Sequence, residues 1–449
     1  MKQGMHKAAR FRQAGVAGMV VLALALSGCG IGKGKTKSTP TVGERVPILS
    51  RIEAGTKVDT AISAMTVVLP PAEANADWAQ AGGTASKSYG HLALGDAPHK
   101  AWSVQVAGSS TKQRLAASPV IGGGQLFVMD TEGEVHAFDA ASGHENWKAG
   151  FRLADSGSSV FGGGAAFDDG VVYVTTGLGE VAAINAKDGV TKWRVKPAGP
   201  LRGAPTIGFG QVFVMTQDNQ IVALNADDGA LLWNESGSVA QTGVFGVAAA
   251  AAGQGTIVAG YSSGELVAYR YENGRQLWSD ALARTSIATS VSTLTDIDAD
   301  PIIERGRVYA LGQGGRMAAY ELVSGQRIWE LNLAGISTPA VAGEWIFTLT
   351  DEAKLLCIEK NNGKVRWIHQ LARFKSEKKK KGPIFWTGPV LAGNRLWIAN
   401  SEGDIQTASV TDGTVSSFAH VGSPVSLAPV VAGQTLYVLE DSGRITAWK

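Results

Sequence analysis

Few side chains in this 449-residue sequence are arranged for making or breaking bonds. The seven histidines stand at 6, 91, 99, 136, 144, 369 and 420, and no two of them have the spacing of a metal site. There is no Gly-x-Ser-x-Gly elbow, no phosphate loop and no dinucleotide fingerprint, so no enzyme, metal or cofactor is called for. What remains is the chemistry of recognition. Leu201-Arg202-Gly-Ala-Pro205 sets a forked cation beside an apolar residue, and Asp296-Ile-Asp298 sets two carboxylates one residue apart. A guanidinium matches a carboxylate bidentately, and paired aspartates supply acceptors or counter-charge. Plainer readings exist for both: Arg202 as a solvated loop cation or the internal partner of an aspartate, and Asp296 and Asp298 as turn caps before a strand.

The elements that must position these residues are visible as a repeat. Glycine is followed four residues later by tryptophan at Gly143/Trp147, Gly189/Trp193, Gly229/Trp233, Gly274/Trp278, Gly325/Trp329 and Gly363/Trp367, with tryptophans 46, 40, 45, 51 and 38 residues apart. That period belongs to propeller blades. Each unit holds four short runs rich in Val, Ile and Phe, punctuated by Gly and Asp, which predicts strands and turns rather than helices. The glycine suits a tight hairpin between the third and fourth strands. Asp139, Asn185 and Asn225, four positions earlier, suit bonds to free turn amides. The tryptophan offers an apolar face to the neighbouring blade, and its indole N–H needs an acceptor.

A seventh unit keeps Thr411-Asp-Gly413 but has Ser417 where tryptophan is due, and an eighth stops at Arg444-Ile-Thr-Ala-Trp-Lys449 without its last strand. Lys100-Ala-Trp102-Ser-Val-Gln-Val lies 45 residues before Trp147 and supplies that strand. The expected fold is all-β: an eight-bladed β-propeller of four-stranded antiparallel blades over 97–449, its ring closed by the N- and C-terminal strands. Trp102, Trp147, Trp193, Trp233, Trp278, Trp329 and Trp367 dock blade on blade. Arg202 and the two aspartates fall between the fourth strand of one blade and the first of the next, so they emerge on one face of the ring. Trp278 to Pro301 spans 23 residues against 10 from Trp329 to Pro339, which marks an insertion there. Lys378–Lys381 occupies a corresponding inter-blade position and reads as a solvated loop, or as attraction to acidic protein or anionic head groups.

The N-terminus is an address. Residues 1–28 carry Lys2, Lys7, Arg10 and Arg12 and then 13 apolar residues from Ala14 to Leu26, the pattern of a signal peptide. It ends in Leu26-Ser-Gly-Cys29, which resembles a bacterial lipobox in which Cys29 is lipid-modified. Gly30 after the cysteine favours the outer membrane. Cys357 then has no disulfide partner and reads as a buried small apolar residue. Residues 29–96 read as a largely irregular tether, with Thr66–Leu69 and Val46–Leu49 able to dock on the ring. Losing the signal takes the net charge from +2 to −2, which gives no electrostatic case for nucleic acid.

The Ala-x-Asp/Asn-Ala-x-x-Gly-x-x-x-Trp units resemble the repeat of quinoprotein dehydrogenases, which bind pyrroloquinoline quinone, although the chain lacks that family's adjacent cysteines. Lipobox and repeats together more closely resemble the BamB family, lipoproteins of the outer-membrane β-barrel assembly machine. That resemblance implies a non-catalytic scaffold, lipid-anchored and facing the periplasm, which binds BamA and other subunits and assists barrel insertion, with unfolded barrel proteins as further partners. It implies that Leu201, Arg202, Asp296 and Asp298 contact BamA. The family's further hydrophobic residue, two positions before the leucine, is here Gly199. The rival readings are a quinone-dependent oxidoreductase and a propeller that binds peptides or glycans in its axial funnel.

Overall fold

The computed structural model describes residues 56–151, 162–238, 248–282 and 295–449. Cys29, the signal peptide and Val46–Leu49 lie outside the described residues, as does most of the insertion before Asp296.

Eight four-stranded antiparallel sheets follow one another along the chain, the second to seventh over 163–195, 206–236, 251–281, 302–331, 340–370 and 386–420. In the first blade, Val120–Gly122, Gln125–Met129, Glu134–Asp139 and Glu145–Gly150 run from the axis outward. The inner and middle strands are buried on both faces, as expected where each sheet is sandwiched between two others. The eighth blade is composite. Lys100–Gln105 pairs antiparallel with Arg444–Trp448, Trp102 opposite Ala447, and reciprocal backbone bonds between His99 and Lys449 finish the seam.

Blades are joined by one repeated contact. Trp102, Trp147, Trp193, Trp233, Trp278, Trp329 and Trp367 donate their indole N–H to the carbonyls of Ala140, Ala186, Ala226, Tyr271, Leu322, Lys360 and Val410 in the following blade, at 2.7–3.2 Å. Each ring lies against the turn glycine of that same blade. Gly189 shows why the position admits nothing larger: its φ is +76°, and an added Cβ would stand 2.8 Å from the Trp147 ring. The side chains of Asp139, Asn185 and Asn225 accept turn amides from Ser142, Lys187 and Asp227. Where Ser417 replaces tryptophan, Phe418 packs instead between Trp397 and Trp448, with centroids 4.9 and 6.0 Å away.

Residues 56–96, expected to be tether, instead pack on the ring, and the compact unit runs from Gly55 to Lys449. Residues 70–94 touch the inner strands of all eight blades. Asn75 bonds Val431 and Gly433 in the eighth blade, Trp78 pairs with Ile121 in the first, and the Ala79 carbonyl accepts Phe167 N–H in the second. Gln80 exchanges two bonds with Ile207 in the third, and the Ala85 and Ser86 carbonyls accept Ala252 and Ile303 amides in the fourth and fifth. Pro70 lies against Gly343 in the sixth, and Leu92 brackets Leu391 and Gly393 in the seventh. Val67 and Leu69 pack on the sixth blade's core, so Thr66–Leu69 does dock. These contacts fall near the turns that end the inner strands. The segment is therefore a plug in the half of the axis remote from the inter-blade loops.

Trp78 is 4% exposed and packs on Tyr89, with centroids 4.9 Å apart. Trp78→Ala is expected to lower the unfolding free energy by about 3–5 kcal/mol in urea titration, whereas Val68→Ala, at a side chain 69% exposed, should change it by less than about 0.5 kcal/mol. Equal, small effects would mean that the plug contributes nothing to the ring.

Candidate functional site

Leu201 and Arg202 lie in the loop entering the third blade, and Asp296 and Asp298 in the loop entering the fifth. Both loops open on the same face. Each is held by backbone bonds: Leu201 forms an isolated bridge with Thr216, Arg202 N–H donates to Met215 O at 2.9 Å, and Gln313 N–H donates to Asp296 O at 2.9 Å. Ile297 is fully buried, and its side chain fills the space left by Gly260, where a Cβ would stand 2.5 Å away.

The structure brings three of these four residues into direct contact, but they turn toward one another rather than outward. Arg202 Nη2 donates to Asp296 Oδ1 at 2.7 Å and approaches Asp298 Oδ1 at 3.5 Å. The side chains of Arg202 and Asp296 are 2% and 1% exposed, and that of Asp298 is 9% exposed. Leu201 is fully buried among Ala166, Val181, Ala183 and Val214 and touches no solvent. The forked cation and apolar anchor expected on the surface are corrected on this point. Arg202 is an internal partner for aspartate, and Leu201 is core. The motifs fall where burial makes an unpaired charge costly, so the two loops are clasped across the face.

One cation cannot balance two buried carboxylates. Burial and the Asp296 charge push Asp298 up from an ordinary 3.8 to about 7, with Arg202 opposing. Near neutrality the Asp298 carboxyl is thus close to its midpoint.

Asp298 and Asp300 also line a cavity of about 300 Å³ on the axis, open toward the inter-blade loops. Its walls include Ala204, Thr338, Pro389 and Ser426, and its floor is the plug, at Trp78, Gly82 and Tyr89. Beneath it Lys87, 1% exposed, donates Nζ to Thr206 Oγ1 at 3.0 Å. Burial lowers its pKa to about 8 against the opposing pull of Asp300, whose own carboxyl is raised by burial. Sequence reasoning missed this lysine, because nothing local distinguishes it from a tether cation.

A second missed cluster lies in the first blade. His136 bonds Asp130 Oδ2 through Nε2 at 3.1 Å and Glu145 Oε1 through Nδ1 at 2.7 Å. Burial lowers its pKa, but the bonds and charges of the two carboxylates outweigh that and raise it. Among the described residues, Asp130, Glu134 and His136 are the group with the proximity of a metal site. Both ring nitrogens already face carboxylates, so Asp130, His136 and Glu145 form a structural triad. Cys357 is fully buried on a third strand, and burial pushes its thiol well up.

Comparison with known proteins adds a family to this geometry. The family described as outer membrane protein assembly factor BamB matches residues 90–159 and 131–369. The outer membrane protein assembly factor BamB of Salmonella typhimurium (strain LT2) is 31% identical over 360 residues, covering 78% of this chain and 88% of that protein. The Escherichia coli (strain K12) protein of the same name is 30% identical over 358 residues, with the same coverage. Among solved structures, BamB from Moraxella catarrhalis superposes with a TM-score of 0.66 at 19% identity, covering 78% of this chain and 99% of that one. A europium-containing methanol dehydrogenase superposes with 0.64 at 13% identity, covering 81% and 89%. At those identities both structures share the fold and nothing further.

Because its folded pKa is raised, Asp298 contributes stability that is full below about pH 4 and is lost as pH rises through about 7. Asp298→Asn keeps the uncharged form at every pH. The variant is expected to be more stable than the parent at pH 8 by up to a few kcal/mol, with the gap closing as pH falls toward 5 in thermal melts. A gap independent of pH would show that Asp298 is ionised throughout.

Proposed function

The chain belongs to the BamB family of outer membrane protein assembly factors, and on that premise we propose that it is a non-catalytic scaffold of the barrel assembly machine. Cys29, placed at the end of the signal sequence, carries the lipid that holds it to the outer membrane, with the propeller in the periplasm. Several acyl chains on one residue anchor firmly where a single chain would not. The partner is BamA, and the inter-blade face is where it docks.

The observation that carries this reading is the clasp between the loops at Arg202 and Asp296. A rigid ring presenting loops is a common basis for recognition. Here a buried ion pair ties two loops that are two blades apart, so the surface between them is preorganised before a partner arrives. Leu201, Arg202, Asp296 and Asp298 act as the frame of the contact. The atoms that meet the partner lie on exposed neighbours of this frame: Pro200 in the loop itself, and Gln217 and Asp218 in the adjoining turn between Gln211–Met215 and Gln220–Asn225. A frame of this kind has no reaction to perform, which fits a family of assembly factors.

Arg202→Ala leaves Asp296 and Asp298 facing each other without their cation, and such a loss costs about 3–5 kcal/mol locally. Capture on an immobilised periplasmic region of BamA should weaken at least about tenfold, while circular dichroism still reports an intact ring. Lys187→Glu, in an exposed turn on the opposite face, should bind like the parent. If Lys187→Glu weakens capture and Arg202→Ala does not, the partner docks on the other face and the reading falls.

A further inference from the structure

The four lysines are not a bare loop. After the outer strand of the sixth blade, Phe374–Ser376 pairs antiparallel with Lys381–Pro383 in a short hairpin. Glu377 Oε1 accepts the backbone amides of Arg373 and Phe374 at 2.7 and 3.1 Å, and Trp386 donates its indole N–H to Ala372 O at 2.8 Å at the base. Lys375 is tied to Glu402 at 2.5 Å. The projection is therefore built, and its tip and the start of its returning strand carry Lys378, Lys379, Lys380 and Lys381, all exposed and in no ion pair among the described residues. Residues 373–383 hold six cations and one carboxylate, a net of +5 in a chain whose total is +2. Phe385, at the base, is 69% exposed, and Ile336 on the preceding inter-blade loop is 48% exposed.

Two placements indicate what this element meets. The hairpin leaves the inter-blade face between the sixth and seventh blades, four blades from the loop of Leu201 and Arg202 and hence across the ring from it. It also stands beside the point where the N-terminal chain reaches the disc. Thr56 donates to Asn332 O at 3.0 Å, just past the outer strand Arg327–Leu331 of the fifth blade, at the loop-face end. Cys29 stands 27 residues before Thr56, a length of chain that reaches at most about 95 Å.

We propose that the hairpin 374–383 is a membrane-contact element whose four tip lysines bind the phosphate groups of anionic phospholipids, with Phe385 seated among the head groups. The proposal rests on the lipid anchor at Cys29 assigned under the proposed function. The anchor limits how far this rim can stray from the bilayer, and the lysines decide which rim faces it. Clustered lysines gain attraction to an anionic surface residue by residue, and an aromatic side chain favours the interface. The opposite rim is then left for BamA.

The test uses mature chain 29–449 carrying Cys29→Ser, so that no lipid contributes, with vesicles of phosphatidylethanolamine and phosphatidylglycerol. Cosedimentation is expected with these and not with phosphatidylcholine vesicles, and it should vanish at an ionic strength of about 1 M, where the Debye length is about 3 Å. Replacing the four lysines, Lys378→Ser through Lys381→Ser, should weaken vesicle binding by about a hundredfold or more. Phe385→Ser in the parent background should also weaken it. Capture of BamA should be unchanged in every one of these variants, which separates this proposal from the preceding one. Equal binding to both kinds of vesicle, or unaltered binding by the serine variant, overturns it. So does loss of BamA capture with vesicle binding intact, which would make the hairpin a protein contact.

Discussion

A tryptophan from one blade lodged against the turn glycine of the next is the contact on which the ring depends. The indole supplies a broad apolar face and a single donor, and both are satisfied by one neighbour: the ring by the glycine's missing side chain, the N–H by a carbonyl near the end of the third strand. The contact is repeated at seven of the eight joints between successive sheets. The strand borrowed from the N-terminus closes the ring by pairing within the eighth blade, like any other strand of a blade. The single joint without tryptophan lies between the seventh and eighth blades, where Phe418 fills the space by edge contacts with two tryptophans.

A closed ring of eight blades leaves an axis too wide for its inner strands to fill. Residues 70–94 occupy one half of it, bonding to the inner strand of blade after blade. The other half remains as a shallow cup whose rim is the set of inter-blade loops. The plug thereby makes the two faces unequal. Among the described residues, one presents tight turns and the plug, and the other presents the inter-blade loops, the clasped motif and the lysine hairpin. An assembly factor that must hold one partner in a fixed orientation benefits from that asymmetry, because only one face has surface variable enough to be specific.

The clasp shows how burial changes the meaning of a charged motif. On a surface, Arg202 would be a cation offered to a partner. Enclosed with Asp296 and Asp298, it balances the chain's own carboxylates, and the excess acid responds by holding its proton to near neutrality. A cluster of exposed cations lies elsewhere, on the lysine hairpin at the far rim.

Much of this architecture could be read directly from residue types. A turn glycine and a docking tryptophan lie four positions apart in one blade, the aspartate or asparagine of the turn lies four before, and both requirements are local, so the repeat, the blade count and the borrowed strand at Lys100–Gln105 follow from pattern alone. That the inter-blade motifs share a face follows too, since strand direction alternates. The tertiary structure decided the rest. The partner of Arg202 is 94 residues away, and no local rule says whether a loop cation meets water or another loop. Residues 56–96 have no periodicity to announce them, because their partners come one at a time from eight separate strands, and only the finished ring brings those strands within reach of a single extended chain.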